Sequence, residues 1–109
     1  MLIYKVLRDE EWAELESQGL FAGAPVDIAD GFVHFSTAAQ LQGTLQKHFA
    51  GETQLKLLAC DADAVAADLK WEISRGRQKF PHLYRALSMI DVMWFRDLPL
   101  SREELEHLP

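Results

Sequence analysis

The chain has 109 residues, 49% of them hydrophobic and 26% charged, enough for one domain with a real core and too few for two. A formal net charge of −6 argues against binding nucleic acid or anionic membrane through bulk charge. The single cysteine, Cys60, excludes an intrachain disulfide, and no apolar run approaches the length of a membrane span.

Leu2 to Leu7 is predicted as a short strand. The chain turns polar at Lys5 and acidic by Asp9, so no signal-peptide apolar region forms and a cytoplasmic location is expected. Asp9 is expected to cap a helix with Glu10 and Glu11 in its first turn, Trp12 and Leu15 on its inner face and Gly19 at its end. Gly23 to Asp30, with Pro25, is expected to be a loop that can lie as a flap over the next strand.

That strand, Gly31 to Thr37, is the most informative stretch. Period-two alternation points Phe32, His34 and Ser36 one way and Val33, Phe35 and Thr37 the other. Thr37 and Gln40 fit a capping box. A strand that runs into a helix N-terminus presents free N–H groups and a positive dipole end beside His34 and Ser36, which suits an anion. His34 read alone also fits a buried imidazole with one hydrogen-bond partner, and Ser36 a cap or turn residue.

The helix should run from Ala38 to about Ala50, with Leu41, Leu45 and Phe49 as its apolar stripe and Gly51 as its stop. His48 sits near its C-terminus, where the dipole favours a proton. Gln54 to Cys60 reads as a buried strand, and Asp61 and Asp63 open a turn. In Leu69 to Ile73, Leu69, Trp71 and Ile73 share one face, Trp71 being expected in the core, and Lys70, Glu72 and Ser74 share the other. Arg75 to Lys79 reads as a basic loop. Pro81 places Phe80–Tyr84 at a sheet edge or a strand start, with Phe80, His82 and Tyr84 on one face. Ile90 to Phe95 forms the last strand, and Ser101 with Glu104 caps a short C-terminal helix.

About five strands and two or three helices predict an α+β fold: one small domain over 1–109, with a curved mixed or antiparallel sheet. Its core would span about 2–98 and the terminal helix about 101–107.

Between Lys70 and Arg85 stand five basic residues and one acid, Glu72, a local charge of +4 in a chain of −6. The cluster fits either a solvated loop or a phosphate-holding rim, since arginine forks match phosphate oxygens. Tyr84 or Phe80 can stack a heterocycle, and His34 or His82 can bond ribose or amide groups.

Gly31–Thr37, Trp71-Glu72 and Phe80–Tyr84 together resemble the signature of domain of unknown function 952, a family of small, mostly bacterial proteins. The resemblance extends from Ile3 to about Phe95 and includes Trp12, Gly19 and the Leu57–Asp61 strand end. It implies an ADP-ribosyltransferase-like fold, akin to the tRNA 2′-phosphotransferase branch, with a cleft for NAD between halves of a split sheet. His34-Phe35-Ser36 is similar to the H-x-[ST] motif that binds the nicotinamide ribose there, and Tyr84 matches a stacking tyrosine. Those enzymes place a catalytic Glu after that tyrosine. Here the acids that follow are Asp91, Asp97 and then, in the terminal segment, Glu103 onward.

The expected site is therefore Glu72 and His34 as catalytic groups, with Ser36, Thr37, Arg75, Arg77, Lys79, His82 and Tyr84 binding a nucleotide-like ligand such as NAD or ADP-ribose. The chemistry implied is ADP-ribosyl or 2′-phosphate transfer, and a 2′-phosphorylated RNA end is the one nucleic-acid partner it admits. Three alternatives stay open. One is a non-catalytic nucleotide- or anion-binding module. Another is a structural or interaction protein whose polar groups hold the fold. The third is a metal site from His34, His82 and Glu72, which no HExxH-type spacing supports. Ser36 lacks the G-x-S-x-G elbow of a serine hydrolase.

Overall fold

Strands β1 (Leu2–Arg8) and β4 (Leu55–Asp61) are the most buried elements, and the rest of the molecule is laid against them. The computed structural model describes residues 1–109. In chain order the remaining elements are α1 (Asp9–Gln18), β2 (Leu20–Phe21), α2 (Pro25–Asp30), β3 (Val33–His34), α3 (Ala38–His48), β5 (Leu69–Ile73), β6 (Lys79–Leu83), β7 (Leu87–Ser88), β8 (Val92–Leu98) and α4 (Arg102–Glu106). No helix is long and apolar enough to cross a membrane.

The strands form three sheets, in orders β1-β4-β8, β2-β7 and β3-β6-β5, and every pairing is antiparallel. The α+β class is as expected. The single sheet of about five strands is replaced by three sheets, and the two or three helices by four. The extra strands are two-residue pieces too short to leave a periodic signal.

Alternation along β1 divides the core. Ile3 and Leu7 face one cluster with Trp12 and Leu15 of α1 and with Phe21, Val33, Phe35, Leu58 and Leu83. Tyr4 and Val6 face a second with Leu41 of α3, Leu57 and Ala59. Lys5 lies between Ile3 and Leu7 on the first face, so the fold buries a lysine.

The sequence misleads at five places. Gly23–Asp30 is not a loop, because Pro25 to Asp30 form α2. Pro25 sits in its first turn and Gly31, at φ 89°, closes it in the left-handed region that glycine reaches without strain. The Gly31–Thr37 strand shrinks to Val33–His34 and lies at an edge, not at the centre of a sheet. It then crosses to the first sheet, where Ser36 and Tyr4 exchange backbone hydrogen bonds of 2.8 and 2.7 Å.

Strand β6, conversely, is central despite Pro81. The Pro81 carbonyl accepts from the Phe35 N–H at 3.0 Å. Its nitrogen therefore faces Phe35, just beyond the last pair of the β3 ladder, where no ladder bond is required of it. Trp71 is 38% exposed and not in the core, because of the Leu69–Trp71–Ile73 face of β5 only Leu69 packs against the first core cluster, and Trp71 and Ile73 lie beyond it. The final strand begins at Val92, and Ile90 stands exposed in a 3-10 turn.

Candidate functional site

The site is built around Asp27, a residue that sequence reasoning passed over. It occupies the first turn of α2, and its Oδ2 accepts from the Ala24 N–H at 2.8 Å, which fixes the helix start. The same buried carboxylate receives the Lys5 ammonium at 3.0 Å on Oδ2. Its Oδ1 accepts from the His34 backbone N–H at 3.1 Å and meets the His34 ring at Nδ1, 2.6 Å away. Asp30, one turn on, meets His34 Nε2 at 3.0 Å.

Burial pushes the Asp27 carboxyl up. The His34 bond, the Lys5 charge and the two backbone N–H donors overcome this and bring it down to about 2. Lys5 has only Asp27 as a hydrogen-bond partner, and burial pulls its ammonium below the ordinary lysine value despite that partner. The ion pair thus serves mainly to keep Asp27 charged and His34 in place.

The second half comes from β5 and β6. His34 and His82 are register partners across β3 and β6, and their ring centres are 5.4 Å apart. The two motifs thus stand side by side on one sheet and do not face each other across a cleft between sheet halves. His82 Nδ1 lies 2.9 Å from Glu72 Oε1, and the Tyr84 hydroxyl donates to that oxygen at 2.6 Å. These two bonds, Tyr84 first, hold the Glu72 carboxyl below its usual range. Phe32 stacks on His82 at 4.0 Å between ring centres and also touches His34 at 4.5 Å and Tyr84 at 5.2 Å.

A third group lies beside α3. The Ser36 and Thr44 hydroxyls are 2.7 Å apart, and Arg75 donates to Thr44 Oγ1 at 3.2 Å while its guanidinium rests over the Phe80 ring at 5.0 Å.

Between these groups is a cavity of about 590 Å³ that Lys5, His34, Ser36, Thr44, Arg75 and His82 help to line. This is the size of a small-ligand site. Arg8, Lys47 and His48 add cationic or titratable side chains, and Glu10, Glu11 and Asp30 add acids. Arg8 is engaged by Glu52 at 2.8 Å, whereas no carboxylate lies within ion-pair distance of Arg75 or Lys47. The helix C-terminus does not favour a proton on His48 as expected. Burial lowers its pKa, and the Arg75 and Lys47 charges lower it further.

Of the expected site residues, His34, Ser36, His82 and Arg75 line the cavity. Glu72 and Tyr84 stand outside the lining and brace His82. Thr37 is the N-cap of α3, accepting from the Gln40 N–H at 3.3 Å. Arg77 and Lys79 are exposed and away from the cavity, and Arg85 is neutralised by Asp68 at 3.1 Å and Asp91 at 2.7 Å. The basic run is therefore not one rim, and Arg75 alone of its members reaches the cavity. For the metal alternative, Glu72 is bonded to His82 and Tyr84 while both His34 nitrogens face Asp27 and Asp30, and no three His, Cys, Asp or Glu side chains are grouped as an ion's ligands.

Lys5, Asp27, Asp30, Phe32 and Thr44 were missed. The helix signature Pro25…Gly31 around Asp27, and a lysine inside an apolar strand, were the available signals.

Comparison with known proteins agrees with the signature. The family described as "Protein of unknown function (DUF952)" matches residues 6–95. The X-ray structure of protein CC0527 from Caulobacter crescentus is 48% identical, covering 94% of this chain and 90% of that one, with a TM-score of 0.88. The solution NMR structure of CC0527 gives 46% identity, coverage of 98% and 96%, and a TM-score of 0.83. Among curated proteins none matches.

Proposed function

We propose that this chain, which belongs to the DUF952 family, binds a small phosphate-bearing, nucleotide-like molecule in the cavity lined by His34, His82, Ser36 and Arg75. The observation that carries this is Arg75, a half-buried guanidinium on the cavity wall with a hydroxyl partner and no carboxylate, in a protein of net charge −6. Such a group is held ready for an external anion. Lys47, also on the lining, adds an ammonium, and the Ser36–Thr44 pair, with one proton in its mutual bond, leaves at most one hydroxyl proton for a phosphate oxygen.

NAD and ADP-ribose are the first ligands to test, since the resemblance of His34-Phe35-Ser36 to the H-x-[ST] motif implies them. ADP-ribosyl or 2′-phosphate transfer would need a carboxylate at the reacting centre. Glu72 is engaged by His82 and Tyr84, so binding is the better supported half of the proposal.

A thermal-shift screen with NAD, ADP-ribose, AMP and a 2′-phosphorylated RNA end tests it. A true ligand at a hundredfold its Kd adds about 2.7 kcal/mol. The expected result is stabilisation by at least one of these, weakened about tenfold or more in Kd by Arg75→Ala. No stabilisation by any of them removes the proposal.

One observation favours a second reading, a structural role. Asp27 is buried and bonded to four donors, as in a polar network that specifies a fold. If Asp27→Asn unfolds the chain and no phosphate compound binds the native protein, that reading replaces the first.

A further inference from the structure

His82 Nε2 is fully buried and has no hydrogen-bond partner, although the residue is 97% buried and lines the cavity. Buried polar atoms of this kind are rare, and each calls for a reason. Its other nitrogen fixes the tautomer of the neutral ring. Nδ1 faces the Glu72 carboxylate, which Tyr84 and His82 keep ionised. An ionised carboxylate only accepts, so Nδ1 carries the proton. In the neutral ring Nε2 is then a bare lone pair, an acceptor. His34, 5.4 Å away between ring centres, cannot answer it, since both its nitrogens face Asp27 and Asp30.

We infer that His82 Nε2 reads a hydrogen-bond donor on the ligand, so that the cavity takes a phosphorylated molecule bearing a hydroxyl or amide N–H and not a bare anion. The inference rests on the anion site proposed above and adds to it a second, donor-specific contact. Arg75 and the Ser36–Thr44 pair hold the phosphate. His82 selects for the sugar- or amide-like part, and Phe32, stacked on the His82 ring, gives way or stacks in turn.

The distinction can be measured with inorganic phosphate and ribose 5-phosphate as probes. Ribose 5-phosphate should bind at least about tenfold more tightly, the value of one buried hydrogen bond no longer left unmade. Its addition should shift the Nε2 resonance of His82 in ¹⁵N-labelled protein, whereas phosphate should leave that resonance in place. His82→Asn retains an amide donor for Glu72 and carries no acceptor that reaches the Nε2 position. It should lower ribose 5-phosphate affinity to about that of phosphate.

Equal affinities with an unmoved Nε2 resonance in the native protein overturn the donor contact while the anion site stands. Failure of both probes to bind overturns the anion site and the donor contact with it. The resonance is read in the unsubstituted protein, so an unstable His82→Asn does not weaken the test.

Discussion

Asp27 is the residue on which the candidate site depends. Its carboxyl is lowered from 3.8 to about 2 in the folded state. A carboxylate with a depressed folded pKa stabilises the fold above its unfolded value and loses that contribution as the pH falls through the folded one. The window here runs from about pH 4 down to about pH 2, and the contribution is about 2 kcal/mol. Urea unfolding of the native protein and of Asp27→Asn across this window should show the difference between them shrinking as the pH falls. A difference that stays constant would mean that Asp27 is not held as described. At neutral pH Asp27→Asn should cost about 3–5 kcal/mol, because it strands Lys5 as a buried charge. Gly23 offers an independent check. A Cβ there would stand 2.6 Å from Asp27 Cβ, at a φ of 136° that side chains rarely adopt. Gly23→Ala should therefore destabilise the protein and displace Asp27, seen as a shifted His34 ring resonance.

At the scale of elements, α3 carries the clearest test. Leu41 is 1% exposed and packs on Tyr4 and Val6, while Leu45 and Phe49 lie half-buried at the edge of that cluster. The stripe is thus graded along the helix. Leu41→Ala should cost about 2–5 kcal/mol in chemical denaturation and Leu45→Ala clearly less, since a half-exposed side chain leaves a smaller cavity. Equal costs would contradict the packing. Thr37 is the cap of this helix, and Thr37→Ala should cost about 1 kcal/mol with little change in ligand affinity. The short α2 matters for placement: its first turn positions Asp27, its last Asp30, and both reach His34.

For the molecule as a whole, a net charge of −6 surrounds a cavity wall that carries Arg75 and Lys47 without carboxylate partners. Binding of ADP-ribose should weaken as salt rises, because screening over about 8 Å at physiological ionic strength damps exposed charges. The Arg77→Ala/Lys79→Ala double variant should change affinity by less than about twofold, since both side chains stand in solvent away from the cavity. A loss as large as that of Arg75→Ala would restore the whole basic run as a rim. Isothermal titration at two salt concentrations separates these outcomes.

What local chemistry dictates was legible along the chain. Thr37 with Gln40 and Ser101 with Glu104 cap their helices, Gly19 closes α1, and alternation places Phe32 and His34 on one face. The sequence also carried the family signature, through His34-Phe35-Ser36 and Phe80–Tyr84. Only the tertiary structure decided that Pro81 can sit in a central strand, because that depends on where the neighbouring ladder ends. It alone decided that Trp71 is uncovered, since no alternation pattern says how far along a strand the core extends. The pairing of Lys5 with Asp27, 22 positions apart in the chain, is of the same kind. A buried charge is legible only when the opposite charge that compensates it can be seen, and chain folding, not sequence spacing, brings the two together.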